Sequence, residues 1–256
     1  MVNTNKRRDN FFNEQYTFGK NYIAHLLNMK NEQFTNMSVL EVGGGEFGLL
    51  KALEEYGANC VGIEISEDRV SYAQSRHLHS NIKFYAADIC DYDTVAASDQ
   101  KYDLIILRDV IEHIQNKLSA LKVCSELLNV NGKLYISYPP ILSPFGGHQQ
   151  NLRHGTLMPF IHILPNVFYK AILKLLGGDE KTISALLTTK TTGITIMKMK
   201  RLLRTLKLSP VSFVCYLIRP DYEIRFNLKR RRTFLNDIPV INEFITTGCF
   251  IVLQNA

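Results

Sequence analysis

The sequence predicts an α/β domain built on a mainly parallel sheet with helices on both faces. Three observations carry this. Between residues 38 and 138, short β-branched runs alternate with longer segments of helical spacing. The first of these runs empties into Gly43-Gly44-Gly45. The rhythm then breaks after Pro139-Pro140 and returns only as two late strand-like runs. Strand, helix, strand in repetition means βαβ units, whose crossovers place helices on the sheet faces.

The elements follow in order. Phe11–Leu27 has helical spacing (Phe12, Tyr16, Ile23, Leu27), and Tyr16 and Tyr22 are expected to pack on the sheet edge rather than touch a ligand. Ser38–Val42 is a buried strand, and Phe47–Tyr56 is a helix stopped by Gly57. Cys60–Ile65 is the second strand. Ser66 is the expected N-cap of a helix to about Leu78, with Glu67 and Asp68 at its positive end. Ile82–Ala86 and Asp103–Leu107 are strands three and four. A helix from about Gln115 to Leu128 leads through an Asn131-Gly132 turn into strand five, Lys133–Tyr138. Residues 139–196, rich in Pro, Gly, His and Thr, read as an insertion with one or two helices. Ile196–Leu206 is a basic helix, and Val211–Ile218 and Thr246–Leu253 are late strands that suggest an antiparallel edge. The expected organisation is a single domain over 1–256: an N-terminal helical cap (1–37), a ligand-binding core (38–138), an insertion (139–196) and a C-terminal helix with antiparallel strands (197–256).

Composition removes several classes. In 256 residues, 46% are hydrophobic and 21% charged, values of a folded globular chain and not of a disordered or coiled-coil one. Five cysteines without any C-x-x-C spacing suggest neither a disulfide framework nor a structural zinc site, and no metal ligand set is expected. The polar N-terminus lacks a signal-type apolar run. The apolar stretch Leu157–Leu176 is interrupted by Pro159, His162, Pro165, Lys170 and Lys174, so no membrane span is expected and the cytoplasm is the expected compartment. The net charge of +6 is uneven. From Lys190 to Arg232 there are twelve basic residues against two acidic ones, Asp221 and Glu223. That region, with its Lys229–Arg232 run, suits an anionic contact: a phosphate-bearing substrate, an anionic membrane surface or RNA. Few aromatics interleave it, which weakens the case for nucleic acid.

The chemistry concentrates in Val39-Leu40-Glu41-Val42-Gly43-Gly44-Gly45-Glu46-Phe47-Gly48. Glycines between a strand and a helix let backbone approach a ligand, and open α/β sheets bind ligands at the carboxyl ends of their strands. Gly43-x-Gly45-x-x-Gly48 also satisfies the dinucleotide fingerprint, so a nicotinamide-dependent oxidoreductase is one reading. Glu41 two positions before Gly43, Glu64 ending strand two, Ala86-Ala87-Asp88-Ile89 ending strand three, and Arg108-Asp109-Val110-Ile111-Glu112-His113 leaving strand four point elsewhere.

In order and spacing, these motifs resemble the class I S-adenosylmethionine-dependent methyltransferases, in particular the small-molecule branch (type 11/12-like) whose fourth strand ends in D-V-[IL]-E-H. The resemblance covers roughly residues 36–140. It implies a Rossmann-like three-layer sandwich with a mostly parallel seven-stranded sheet, its last strand antiparallel, and a helical insertion after strand five. It implies S-adenosylmethionine as cofactor, held by Gly43, Gly44 and Gly45, with Glu41 near its amino group. Glu64 would take the ribose hydroxyls, a geometry that suits a carboxylate's two acceptor oxygens. Ile65, Asp88 and Ile89 would flank the adenine, and Arg108 and Asp109 the methionine end. His113 is expected in a helix-start or packing role, and Glu112 is expected to be solvated or a helix-start charge.

The acceptor side should lie on the loops after strands four and five. There Pro139-Pro140 leads through Gly146-Gly147 to His148, the candidate general base, with His154 second. The expected reaction is O-methylation of a small-molecule, glycan or lipid-linked acceptor, with peripheral contact to an anionic membrane. An RNA methyltransferase or a basic binding module is the reading from another class.

Overall fold

A computed structural model describes residues 4–91, 100–152, 154–155, 158–233 and 238–255. Leu157, which opens the apolar stretch, lies outside them. Eight strands form one sheet in the order β3-β2-β1-β4-β5-β8-β6-β7. They are β1 (Ser38–Val42), β2 (Asn59–Glu64), β3 (Lys83–Ala86), β4 (Tyr102–Arg108), β5 (Leu128–Tyr138), β6 (Pro210–Ile218), β7 (Arg231–Arg232) and β8 (Gly248–Gln254). Strands β1 to β5 are mutually parallel. β8 inserts antiparallel between β5 and β6. The antiparallel last strand was expected, but the sheet has eight strands rather than seven. The extra one is the two-residue β7, in the segment read as a connection. β5 also begins earlier than expected: Asn131 takes a left-handed conformation inside it, so the expected turn is a local irregularity within the strand.

The main helices are α1 (Thr4–Phe18), α2 (Gly48–Glu54), α3 (Glu67–Arg76), α4 (Lys117–Glu126), α5 (Asn166–Leu175), α6 (Glu180–Thr192), α7 (Ile196–Thr205), α8 (Asp221–Phe226) and α9 (Pro239–Ile245). Side chains alternate along a strand, so neighbours face opposite layers. Leu40, Ile105, Leu134 and Ile136 join one core with α4 and α7. Val39, Leu104, Ile106 and Tyr135 join the other with α1, α2 and α3. Helices α5 and α6 form a cap with a small core of its own around Tyr169, Leu173, Ile183 and Leu186.

Caps fix several helix starts. The side chains of Asn116, Asp179 and Thr195 accept from the backbone N–H groups of Ser119, Thr182 and Lys198. Ser66 departs from expectation. It precedes α3, but its side chain makes no capping bond; its backbone N–H instead donates to Glu64 at 3.2 Å. The strand order reverses between β1 and β4, and their carboxyl ends define the site.

Candidate active site

Gly43 and Gly45 have φ of +66° and +60°, a region that side chains rarely adopt. A Cβ on Gly43 would strike Val110, and one on Gly44 would strike the Phe47 ring and the Glu41 carboxyl. All three positions therefore require glycine, for curvature or for space. Helix α1 grips the loop from above. The Gln15 side chain donates to the Gly44 carbonyl (2.8 Å) and accepts from the Gly48 N–H (3.0 Å). Tyr16 and Tyr22 instead bond Glu55 and Glu223 away from the loop, in the packing role expected of them.

Glu41 lies buried beneath the glycines, with its Oε2 unpartnered. Burial, partly countered by Arg108, raises its pKa to about 7. Glu64 is also buried, at the end of β2, with the Arg69 guanidinium 3.8 Å away. Ile65 is 70% exposed beside it. Asp88 is exposed and accepts from the Cys90 N–H, while Ile89 is buried in the core.

A cavity of about 1190 Å³ opens at these strand ends, lined in part by Gly43, Gly44, Gly45, Arg108, Asp109 and His148. Glu64, Ile65, Asp88 and Ile89 stand outside its lining. His154 is exposed and also outside it, so the structure does not bring the second candidate base to the site.

Two clusters of ionisable side chains border the cavity. In the first, Asp221 at the start of α8 pairs with both Arg108 and Arg219, and Arg219 reaches Asp109 at 2.7 Å. Burial alone would raise the Asp221 carboxyl, but Arg219 and Arg108 hold it well below the usual carboxylate range. Arg108 also lies over the Phe18 ring, 4.4 Å from its centroid.

The second cluster corrects an expectation. Glu112, expected to be solvated or a helix-start charge, is 1% exposed, and neither carboxylate oxygen has a hydrogen-bond partner among the described residues. It sits in a short 3₁₀ turn, Ile111–His113, that tucks its side chain inward. His113 and His148 place their Nε2 atoms 3.9 and 3.8 Å from Glu112 Oε1, and their rings meet edge-on at 5.1 Å. Burial and the neighbouring Asp109 push Glu112 well above its ordinary pKa. Burial and His113 bring His148 down to about 4.

Sequence reasoning missed Gln15, Arg219 and Asp221. A signal for the last existed: Asp221 and Glu223 are the only acids in the basic region, and both are engaged. Glu223 accepts from Tyr22 and from the Arg230 N–H. Arg219 and Arg225 of the basic region are likewise paired, Arg225 with Glu14.

Comparisons with known proteins agree with this architecture. Over 118 residues the chain is 28% identical to the ubiquinone biosynthesis O-methyltransferase of Coxiella burnetii, covering 45% of this chain and 47% of that protein. It is 34% identical over 98 residues to phosphoethanolamine N-methyltransferase 1 of Zea mays, covering 38% and 18%. The chain thus matches about half, or less, of the length of these curated relatives. Among solved structures, the plantazolicin methyltransferase BpumL in complex with SAH has a TM-score of 0.59 at 13% identity, over 100% of this chain and 92% of that one. Magnesium protoporphyrin IX methyltransferase from Synechocystis PCC 6803 with bound SAM has a TM-score of 0.53 at 13% identity, over 100% and 86%. At that identity these structures share the fold. Residues 13–175, more than half of the chain, match the family model described as a methyltransferase domain, and the chain belongs to that family.

Proposed function

We propose that this chain transfers a methyl group from S-adenosylmethionine to an oxygen of a small-molecule acceptor, as one domain whose 139–196 segment caps the acceptor. The carrying observation is the glycine cradle. Three glycines, two at positive φ and two with no room for a Cβ, border a large cavity, with a buried carboxylate, Glu41, behind them whose Oε2 is unpartnered. Such a cradle fits a ligand's polar backbone-like portion and a cationic amino group. Gly43, Gly44 and Gly45 would hold the methionine and ribose portions, with Glu41 near the amino group. Glu64, released from Arg69, would take the ribose hydroxyls. Ile65, Asp88 and Ile89 would flank the adenine outside the cavity, and Asp109 would sit at the methionine end. When bound, the cofactor supplies an activated methyl group.

His148 stands on the acceptor side. It is neutral at pH 7 and offers a lone pair to an acceptor hydroxyl. Proximity and exclusion of water by the cap contribute the rest of the rate. Oxygen as the methylated atom rests on this imidazole and on the names of the ubiquinone-pathway relatives, although the maize relative is an N-methyltransferase by name.

The test is calorimetric titration with S-adenosylhomocysteine, wild type beside Glu64→Ala. Micromolar binding that weakens at least about tenfold in the variant is expected, a loss of about 1.4 kcal/mol or more. An absence of wild-type binding overturns the reading.

A glycan or lipid-linked acceptor and contact with an anionic membrane form a finer part of the proposal. Ile163, Val167 and Phe168 of the cap are exposed beside Lys170 and Lys174. Among the described residues no helix is long and apolar enough to cross a membrane. Co-sedimentation with phosphatidylglycerol vesicles at low salt is expected, and its absence removes this part.

A further inference from the structure

We propose that Glu112, His113 and His148 form a divalent-cation site in the wall of the cavity, and that the cation binds an oxygen of the acceptor. The proposal rests on the methyl-transfer reading for its purpose, but not for its geometry.

The geometry begins with three ligating atoms, one from each residue, that lie within 4.8 Å of one another. They come from two separate loops. Glu112 and His113 follow β4, and His148 follows β5. Two imidazoles and a carboxylate are a ligand set for Zn²⁺, Mn²⁺, Fe²⁺ or Co²⁺, and three protein ligands leave a position open for an exogenous oxygen.

The contacts around the three side chains suit a positive centre. The Thr189 hydroxyl has one proton and donates it to the Ala185 carbonyl. The same hydroxyl lies 3.4 Å from His113 Nδ1, and the tautomer with the hydrogen on Nδ1 lets the hydroxyl oxygen accept there. In that tautomer His113 Nε2 offers a lone pair 3.9 Å from Glu112 Oε1. Backing of one ring nitrogen by an oxygen while the other faces inward is the usual support of a metal-bound histidine. His148 Nε2 also faces Glu112 Oε1. Neither oxygen of Glu112 receives a donor, although the side chain is almost wholly buried. Glu112 is buried while His113 is exposed and His148 half-buried at the cavity wall, so a cation held by the three would keep an open side toward the cavity. Bond lengths of about 2.0–2.2 Å place tetrahedral ligand atoms roughly 3.4 Å apart. The two separations from Glu112 Oε1, 3.8 and 3.9 Å, exceed this by a few tenths of an ångström, and all three ligand atoms lie within 4.8 Å of one another.

Bound there, the cation serves as a Lewis acid for an acceptor hydroxyl. The O–H bond breaks, its proton passes to water, and the electron pair stays on oxygen as the nucleophile. His148 is then a ligand rather than the base.

The test uses the full chain, stripped with dipicolinate and titrated with Co²⁺ alone, followed by visible absorption. We expect one equivalent bound, with d–d bands of a low-coordinate site and an affinity reduced at least about 30-fold in Glu112→Gln and in His148→Ala. Because a variant can fail to fold, Mn²⁺ broadening of the His113 and His148 ring proton signals is followed in the wild type as well. S-adenosylhomocysteine binding is measured on the same stripped samples. Absence of stoichiometric Co²⁺ binding, unchanged affinity in Glu112→Gln, or rings untouched by Mn²⁺ overturns the site. If the stripped wild type still binds S-adenosylhomocysteine, the methyl-transfer reading survives that failure. Metal binding without S-adenosylhomocysteine binding keeps the site and overturns the reading. Full turnover by the metal-free enzyme overturns the acceptor role and returns His148 to that of base.

Discussion

Two clusters of ionisable side chains border one cavity and handle charge in opposite ways. Arg108, Asp109, Arg219 and Asp221 form a closed set of two cations and two anions, with every ion pair 4.0 Å or shorter. Glu112, His113 and His148 are a carboxyl group and two imidazoles turned toward one another. The first set pairs its own charges, with Arg108 Nε alone lacking a hydrogen-bond partner among the described residues, and its energy resides in the fold: it ties the ends of β4 and β6 to α8. In the second, neither oxygen of Glu112 finds a donor among the described residues. The contrast separates residues that build the site from residues that wait for a ligand, even though all of them are ionisable and lie near the same strand ends.

The largest effect should come from breaking the closed set. Asp221→Ala leaves Arg108 and Arg219 buried with one carboxylate, Asp109, between them. Removing one partner of a buried pair costs about 3–5 kcal/mol. For a chain of this size that lowers Tm by on the order of 10 °C. Urea and thermal unfolding of the variant check this, and a loss under about 1 kcal/mol would erase the contrast.

Glu41 lies between the two types, a buried acid that feels only one cation, Arg108. Its pKa in the folded chain is raised to about 7 from 4.5. A raised acid binds its proton more tightly when folded. Its contribution is therefore fully present below pH 4.5 and is lost as the pH rises through 7. In the cofactor-free protein this amounts to about 3 kcal/mol between pH 4.5 and pH 8. Glu41→Gln should flatten that part of the stability profile in chemical denaturation across the same range. An unchanged slope would place the titration elsewhere.

Glu112→Gln should move stability far less. Without metal, the wild-type carboxylate has no donor to lose, so the variant is expected within about 1 kcal/mol of wild type or above it. A drop as large as that of Asp221→Ala would show that Glu112 belongs to the structural set.

How far all this was legible in the sequence follows the same division. The parallel half was readable because its signals are local. Val39 to Val42 run into glycines whose positive φ only glycine adopts readily, and the strands alternate with helices at short range. The antiparallel edge was readable as two apolar runs, but two-residue β7 carries no periodicity. Glu112 was misjudged because a carboxylate at a helix start is usually solvated, and its burial depends on a loop 36 positions away that brings His148 over it. Asp221 was counted as charge in a basic region, and nothing near it in sequence names Arg108, 113 positions earlier, as its partner. The cofactor cradle was a short-range pattern; both clusters are long-range products of the fold.

The smallest effect tests whether the glycine loop is held from outside. Gln15 uses both ends of its amide, donating to the Gly44 carbonyl and accepting from the Gly48 N–H. Gln15→Ala removes two hydrogen bonds of about 1 kcal/mol each, and water can replace part of that on a half-buried surface. Tm should fall by roughly 2–4 °C. If the clamp sets the loop geometry that the proposed cofactor meets, S-adenosylhomocysteine affinity should fall about fivefold, or about 1 kcal/mol. Gln15→Glu should be worse, because a carboxylate can accept from Gly48 but presents no donor to Gly44. Should both variants bind S-adenosylhomocysteine as the wild type does, while melting lower, then α1 merely packs on a loop whose shape Gly43, Gly44 and Gly45 already hold without it.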